Sequence, residues 1–316
     1  RSSLVGSRTY QLQGGGTTTG SGRAFFQVPY YLTQCPTGNP TCPKDGYVKD
    51  DNVFNLASIY PGGFTPRFTG DVTQLFGVAG YKGSSGAFGY DVSVTEASNT
   101  VDLSMHDSIS PSFGVASQTA FKFGDLIQKE SNANLDLTYQ IEAGLASPLT
   151  LSGGGEYRKE QYTAEAGDLQ SYGGGAYAVA HPLYQETSPG SGVYTSTGKN
   201  TAVYGPGASG YAGTNPTYAG ANSQSSHAIY LGLEGDVLKN LSMGVMARYE
   251  DYQSFGSKTV WKFNTIFHVN DAVALRGTIG TGFHAPSPGQ NNVQVVTTSF
   301  AGGRSLQQGT FPVTSA

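Results

Sequence analysis

Three groups of side chains in this sequence could do chemistry. Cys35 and Cys42 sit in QCPTGNPTC, with turn-forming residues between them. That spacing suits a small disulfide loop; the rival reading, a metal pair, lacks a second Cys or His pair nearby. The stretch Asp168–Asn222 holds Tyr172, Tyr177, Tyr184, Tyr194, Tyr204, Tyr211 and Tyr218 among Gly, Ser, Thr and Ala, with only Asp168, Glu186 and Lys199 charged. Tyrosine offers a broad amphipathic surface at low entropic cost, and Gly and Ser let it adapt. Such a segment suits a sugar, a siderophore or another polar-aromatic ligand, or it is a surface loop whose tyrosines pack on one another. Third, Glu156, Arg158 and Glu160 alternate along GEYRKE. In a strand they share one face, and the intervening arginine makes a charge ladder a better reading than an acid–base pair.

Other motifs dissolve on inspection. Gly192–Asn200 (GVYTSTGKN) has the wrong glycine spacing for a phosphate loop, and Asn follows its Lys. The triple glycines at 14–16, 153–155 and 173–175 precede no helical pattern, so they imply no dinucleotide site; Gly153–Gly155 reads as a bend or a clearance inside a strand. The histidines at 106, 181, 227, 268 and 284 show no metal-ligand spacing. A formal net charge of −4 gives no reason to expect nucleic acid. No cofactor, metal or catalytic set is expected.

The elements that must carry these residues are strands. Between Ala272 and His284, Val273, Leu275, Ile279 and Phe283 fall on one face, and Ala274, Arg276, Thr278, Gly280, Gly282 and His284 on the other. Ser257–Asn270 alternates likewise, as do Leu241–Tyr252 (with Arg248 and Glu250 on its polar face), His227–Val237, Asn132–Leu145, Thr150–Tyr162 and Phe88–Thr95; Asp71–Lys82 is a weaker member. Eight strands are thus expected after residue 70, with one more near Ser7–Gln13. Asn270-Asp271 is a hairpin pair. Short connectors at Lys82–Ala87, Ala146–Leu149, Val237–Asn240 and Asn270–Asp271 lie at one end of the strands. Long ones, approximately residues 30–60, 98–130, 164–223 and 286–316, lie at the other, with Ser254–Ser257 a short exception. Short turns at one end and long loops at the other mark an outer-membrane barrel.

Composition agrees. Charged residues are 13%, against about 25% in ordinary soluble domains, yet no run reaches the roughly 20 apolar residues of a membrane helix. Such a chain hides apolar surface by alternation. A secreted β-sandwich also alternates, but here the polar face carries Asp, Glu, Arg and Lys in mid-strand.

The chain resembles part of the barrel of a TonB-dependent outer-membrane receptor. The resemblance rests on Tyr60–Pro66 (YPGGFTP), Asp71–Gly83, Asn132–Glu142 leading into Ser147-Pro148-Leu149, Gly155–Glu160, Asp168–Tyr172, Ala247–Gly256, and Arg276-Gly277-Thr278 through Gly282-Phe283-His284-Ala285-Pro286, in that order over roughly residues 20–316. His284 departs from the arginine more usual there. The resemblance implies an all-β fold: a segment, residues 1–316, of an antiparallel transmembrane barrel of about 22 strands around a plug, with the N-terminal plug and C-terminal strands expected outside this sequence. It implies a receptor integral to the Gram-negative outer membrane, not an enzyme. Its partners would be lipid, a bulky scarce ligand and, through the plug, the TonB-ExbB-ExbD energy-coupling complex. A siderophore-iron complex is the first expectation for the ligand, an oligosaccharide or peptide the next. By analogy Glu156, Arg158, Glu160, Arg248, Glu250 and Arg276 line the lumen and contact the plug. The oxidising compartment favours the Cys35–Cys42 bridge, which would stiffen an extracellular loop. Two other functions compete: a passive porin-like channel, and a surface carbohydrate-binding or adhesive β-domain.

Overall fold

The computed structural model describes residues 7–12, 16–21, 31–50, 60, 62–201, 203–293, 295–301 and 304–310. Gln13, Gly14, Gly15 and Pro61 of the expected features, and residues 30, 51–59, 202, 294, 302–303 and 311–316 of the expected loops, lie outside them.

The alternating segments form one antiparallel sheet of eight strands, ordered β14-β13-β12-β11-β8-β7-β6-β5. They are β5 (Arg67–Ser85), β6 (Phe88–His106), β7 (Phe121–Ile141), β8 (Leu149–Ala164), β11 (Gly220–Leu238), β12 (Leu241–Tyr252), β13 (Gly256–Asn270) and β14 (Val273–Gly280). Smaller pieces flank the sheet: a hairpin of β1 (Ser7–Leu12) and β2 (Gly16–Ser21), a mixed sheet of β3 (Tyr31–Gln34), β4 (Tyr47–Asp50), β9 (Pro182–Glu186) and β10 (Tyr194–Asn200), and a hairpin of β15 (Val295–Ala301) and β16 (Arg304–Thr310).

Register carries the alternation across the wall, because paired residues share a face. One row runs Tyr81, Val92, Leu135, Gly155, Ile229, Tyr249; a lower one runs Phe88, Tyr139, Leu151, Leu233, Val245, Phe263, Ile279. This face is a continuous apolar belt, and its members are largely exposed; Ile229 is 64% and Leu231 61% accessible. Large apolar side chains left open in register over several strands are a surface built for lipid.

The turns follow from local chemistry. Gly86, at φ 61°, opens the two-residue turn between β5 and β6. The Asn270 side chain accepts from the backbone N–H of Ala272 and Val273, both 2.9 Å, and closes the β13–β14 turn. These turns lie at the same end of the sheet as 142–148 and 239–240; the opposite end carries 107–120 and 165–219, with Gln253–Phe255 the short join there.

Several limits differ from the sequence reading: β11 starts at Gly220, seven residues before His227, β5 spans Arg67–Ser85 rather than Asp71–Lys82, and the loops expected over 30–60 and 286–316 contain β3, β4, β15 and β16. β6 continues to His106 and β7 starts at Phe121, so the connection expected over 98–130 narrows to 107–120. Past the belt the outward residues become polar (Glu96, Ser98, Thr100 and Lys129) and the apolar positions move to the inward face, where Leu103 and Met105 meet the cap, so the strands continue beyond the outward-apolar pattern that reveals them. At the other edge β14 ends at Gly280, before Phe283 and His284.

Candidate functional site: an ion network beneath a folded loop cap

The opposite face of the wall is polar, and its charges are mutually engaged. Arg248 Nη2 donates to Glu156 Oε2 (3.1 Å) and its Nε to Glu250 Oε2 (3.0 Å); Ser226 Oγ donates to Glu250 Oε1 (2.9 Å). Arg158 Nη2 bridges Glu130 Oε2 (3.1 Å) and Glu160 Oε1 (2.9 Å). Asn132 Nδ2 donates to Glu130 (3.2 Å).

Small residues let these long side chains cross strands. Glu156, Ala228 and Glu250 are in register, so the guanidinium of Arg248 reaches over the methyl of Ala228 to join carboxylates two strands apart. Tyr230 passes over Gly154 to donate to Asp136 on the far side; a Cβ at Gly154 would run into the Tyr230 ring. The clearance expected of the 153–155 glycines is used in this way at Gly154. Gly153 and Gly155 lie on the apolar face.

The two arginines thus face four glutamates, Glu130, Glu156, Glu160 and Glu250, and the buried Arg158 Nε has no partner among the described residues. Five of the six charged residues singled out from sequence meet here. Arg276 does not: from β14 it pairs with Ile266 of β13, toward the short-turn end, and makes no ion pair among the described residues. Glu130 escaped the sequence reading because it fell inside the expected 98–130 loop. Its signal was there to find, since it continues the Asp136, Asn134, Asn132 face by one step.

Above the network the long connections fold over the same face. Ser108 Oγ donates to the Ser209 carbonyl (3.1 Å) and Ser110 Oγ to Gly207 (2.9 Å), while Ser112 Oγ accepts from Gly175 N–H (3.1 Å). Asp168 Oδ2 accepts from Gln118 Nε2 (3.0 Å) and Lys122 N–H (2.9 Å). The three serines and Ser171 are wholly buried, so each hydroxyl satisfies backbone that would otherwise be stranded.

Apolar contacts finish the cap. Phe121, Phe123, Met105 and Ala208 form its core; Tyr211 lies edge-on to Phe123 (centroids 5.0 Å) and tilted on Phe68 (4.9 Å). Dry core in the described residues is therefore concentrated in the cap rather than in mid-wall.

The seven expected tyrosines fall into three places. Tyr172, in the short helix α1 (Leu169–Tyr172), lines one cleft of about 160 Å³ with Tyr211, Tyr218 and the strand residue Tyr162; α2 (Pro288–Asn292) contributes Asn292. Tyr177 and Tyr204 pack inside the cap, joined by a backbone bond from Tyr204 N–H to the Tyr177 carbonyl (2.9 Å), and burial raises both phenols above the ordinary tyrosine value. Tyr184 and Tyr194 lie on the β9–β10 hairpin. Against it sits the loop closed by the Cys35–Cys42 disulfide (Cα–Cα 5.5 Å): Asn39 Nδ2 donates to the Gly192 carbonyl and Tyr194 N–H to Thr41 Oγ1, both 2.9 Å.

No curated protein and no solved structure matches the chain. The family described as TonB dependent receptor-like, beta-barrel matches residues 6–315. That span covers the amphipathic wall, the ion network and the loop cap together, and the chain belongs to the β-barrel of the TonB-dependent receptors, a family of outer-membrane receptors that serve transport.

Proposed function

We propose that this segment is wall and outer gate of an integral Gram-negative outer-membrane receptor that imports a bulky, scarce ligand by TonB-energised transport. The observation that carries the reading is that the ion network and the folded long connections share one face of the wall, while the opposite face is a belt fit for lipid. In this reading the ionic face is the lumen. Glu156, Arg158, Glu160, Arg248, Glu250 and, lower down, Arg276 seat the plug, through which TonB-ExbB-ExbD acts. The surplus carboxylates suit cationic groups on the plug surface. The 165–219 connection and the disulfide loop then face the exterior.

The cap's chemistry supports reordering the cargo. The 107–120 and 165–219 connections hold Asp107, Glu165, Asp168 and Glu186 against a single Lys199. A strongly anionic ferric chelate would meet a net negative mouth, so an uncharged cargo such as an oligosaccharide moves ahead of a siderophore.

Receptor-dependent growth on panels of carbon and iron sources, compared with and without a functional TonB, tests the proposal. Growth requiring both is the expected result. Receptor-dependent growth that survives loss of TonB contradicts it and favours a passive channel.

A further inference from the structure

The cleft beneath the cap has the chemistry of a binding subsite. Its walls include four tyrosine rings, Tyr162, Tyr172, Tyr211 and Tyr218, and none of its lining residues is charged. None of the four hydroxyls has a hydrogen-bond partner among the described residues. The hydroxyls stay accessible to solvent, Tyr218 most of all at 55% exposure, and are open to a ligand.

Two amides complete the set with opposite polarity. Asn215 spends its Oδ1 on the Thr217 N–H (2.9 Å), leaving its NH₂ as a donor. Asn292 spends its Nδ2 on the Pro288 carbonyl (2.8 Å), leaving its oxygen as an acceptor. The cleft therefore offers flat aromatic faces, rotatable phenol hydroxyls, one fixed donor and one fixed acceptor. Its volume, about 160 Å³, lies below the roughly 300–1,000 Å³ of pockets that enclose a drug-sized molecule. It has room for one ring of a longer ligand and not for a whole metal chelate. Tyr162 lies two residues along β8 from Glu160 on the same face, so the cleft adjoins the ion network.

We propose that this cleft holds a single ring of a neutral, polyhydroxylated ligand, one sugar unit of an oligosaccharide. An apolar ring face stacks on tyrosine while vicinal hydroxyls pair with Asn215 and Asn292, each of which can discriminate donor from acceptor. The inference rests on the receptor reading above and narrows its cargo.

The test uses the full-length receptor in detergent micelles on an array of neutral and acidic oligosaccharides, followed by calorimetry, with an iron(III) tris-catecholate complex as counter-probe. Neutral oligosaccharides should bind and the catecholate should not. Tyr218 is exposed and outside the cap core, so Tyr218→Ala should weaken binding about fivefold without unfolding the cap, and Tyr218→Phe should weaken it less. Asn215→Asp keeps the oxygen that holds Thr217 and removes the donor; it should cost about fivefold or more. Binding of acidic glycans or the catecholate alone, binding of nothing on the array, or neutral-glycan affinities unmoved by both Tyr218→Ala and Asn215→Asp would overturn the inference. TonB-dependent growth is read separately, so a failed array beside intact TonB dependence removes this subsite and leaves the receptor standing.

Discussion

Replacing Arg248 with Met isolates what the ion network contributes. The guanidinium holds Glu156 at 3.1 Å and Glu250 at 3.0 Å, and the three side chains are 27%, 23% and 14% exposed. Its loss removes two charge-assisted hydrogen bonds, each of about 1.5–3 kcal/mol. It also leaves two carboxylates within about 8 Å, where like charges repel by about 2 kcal/mol at an effective dielectric of about 20. Residual water around a quarter-exposed side chain pulls the sum toward the surface-pair value of about 1 kcal/mol or less. The net expectation is a loss of about 2–3 kcal/mol. Guanidinium unfolding of the full-length receptor in micelles should show it as a lower midpoint at unchanged slope. Adding Glu156→Gln and Glu250→Gln removes the stranded charges and should restore more than half. A single variant within about 0.5 kcal/mol of the parent, or a triple variant no better than the single, would refute the reasoning.

Further perturbations probe the cap and the lumen. Exchanging the charges of Arg248 and Glu250 keeps the pair but faces Glu156 with a carboxylate; plug seating should loosen, read as entry of a large antibiotic that the parent excludes, whereas unchanged exclusion and transport would contradict a lumen role. Gly124 lies at φ 91° with the Glu165 carbonyl where a Cβ would go, so Gly124→Ala should displace the start of the 165–219 connection and speed its amide exchange with little change in β11–β14. Reducing Cys35–Cys42 frees a loop whose closure contributes about 2.5 kcal/mol in the chain-entropy model; cleavage by added protease should rise around residues 35–46 while the wall stays intact. Burial raises the Tyr204 and Tyr211 phenols above the ordinary value of 10.0. The folded cap therefore keeps protons that an opened cap gives up, and its stability is full below pH 10 and falls as pH rises beyond it. Phenolate absorbance and near-ultraviolet dichroism should show these groups ionising last, together with loss of cap structure.

Much of the wall was legible in the sequence because a strand in a two-sided environment writes period-two alternation directly into residue choice. Leu241–Tyr252 was read to the residue for this reason, and Asn270-Asp271 placed the last turn. The reading stopped short where the apolar face changed sides: past Thr95 on β6 the outward residues turn polar and Leu103 and Met105 face the cap instead, with Phe121 and Phe123 on β7, so the outward-apolar pattern that was followed ends before the strands do. That same stop hid Glu130. The cap was not legible because its cohesion is non-local: Ser108 with Ser209, Ser110 with Gly207 and Gln118 with Asp168 join residues far apart in the chain, and nothing in a serine's own neighbourhood announces such a partner. The tyrosines were found as a composition, yet their division into a cleft, a cap interior and a disulfide-braced hairpin follows from chain path alone.

The account turns on which face of the wall meets lipid. Single nitroxide labels along β11, from 227 to 234, in the full-length receptor reconstituted in bilayers would decide it through collisions with oxygen and with a water-soluble nickel chelate. Labels replacing Ile229, Leu231 and Leu233 should collide with oxygen and escape the chelate, and labels at Ala228, Tyr230 and Gly232 should avoid oxygen. Inverted parity, or equal exposure of both sets, would contradict a barrel wall with its ionic face turned inward.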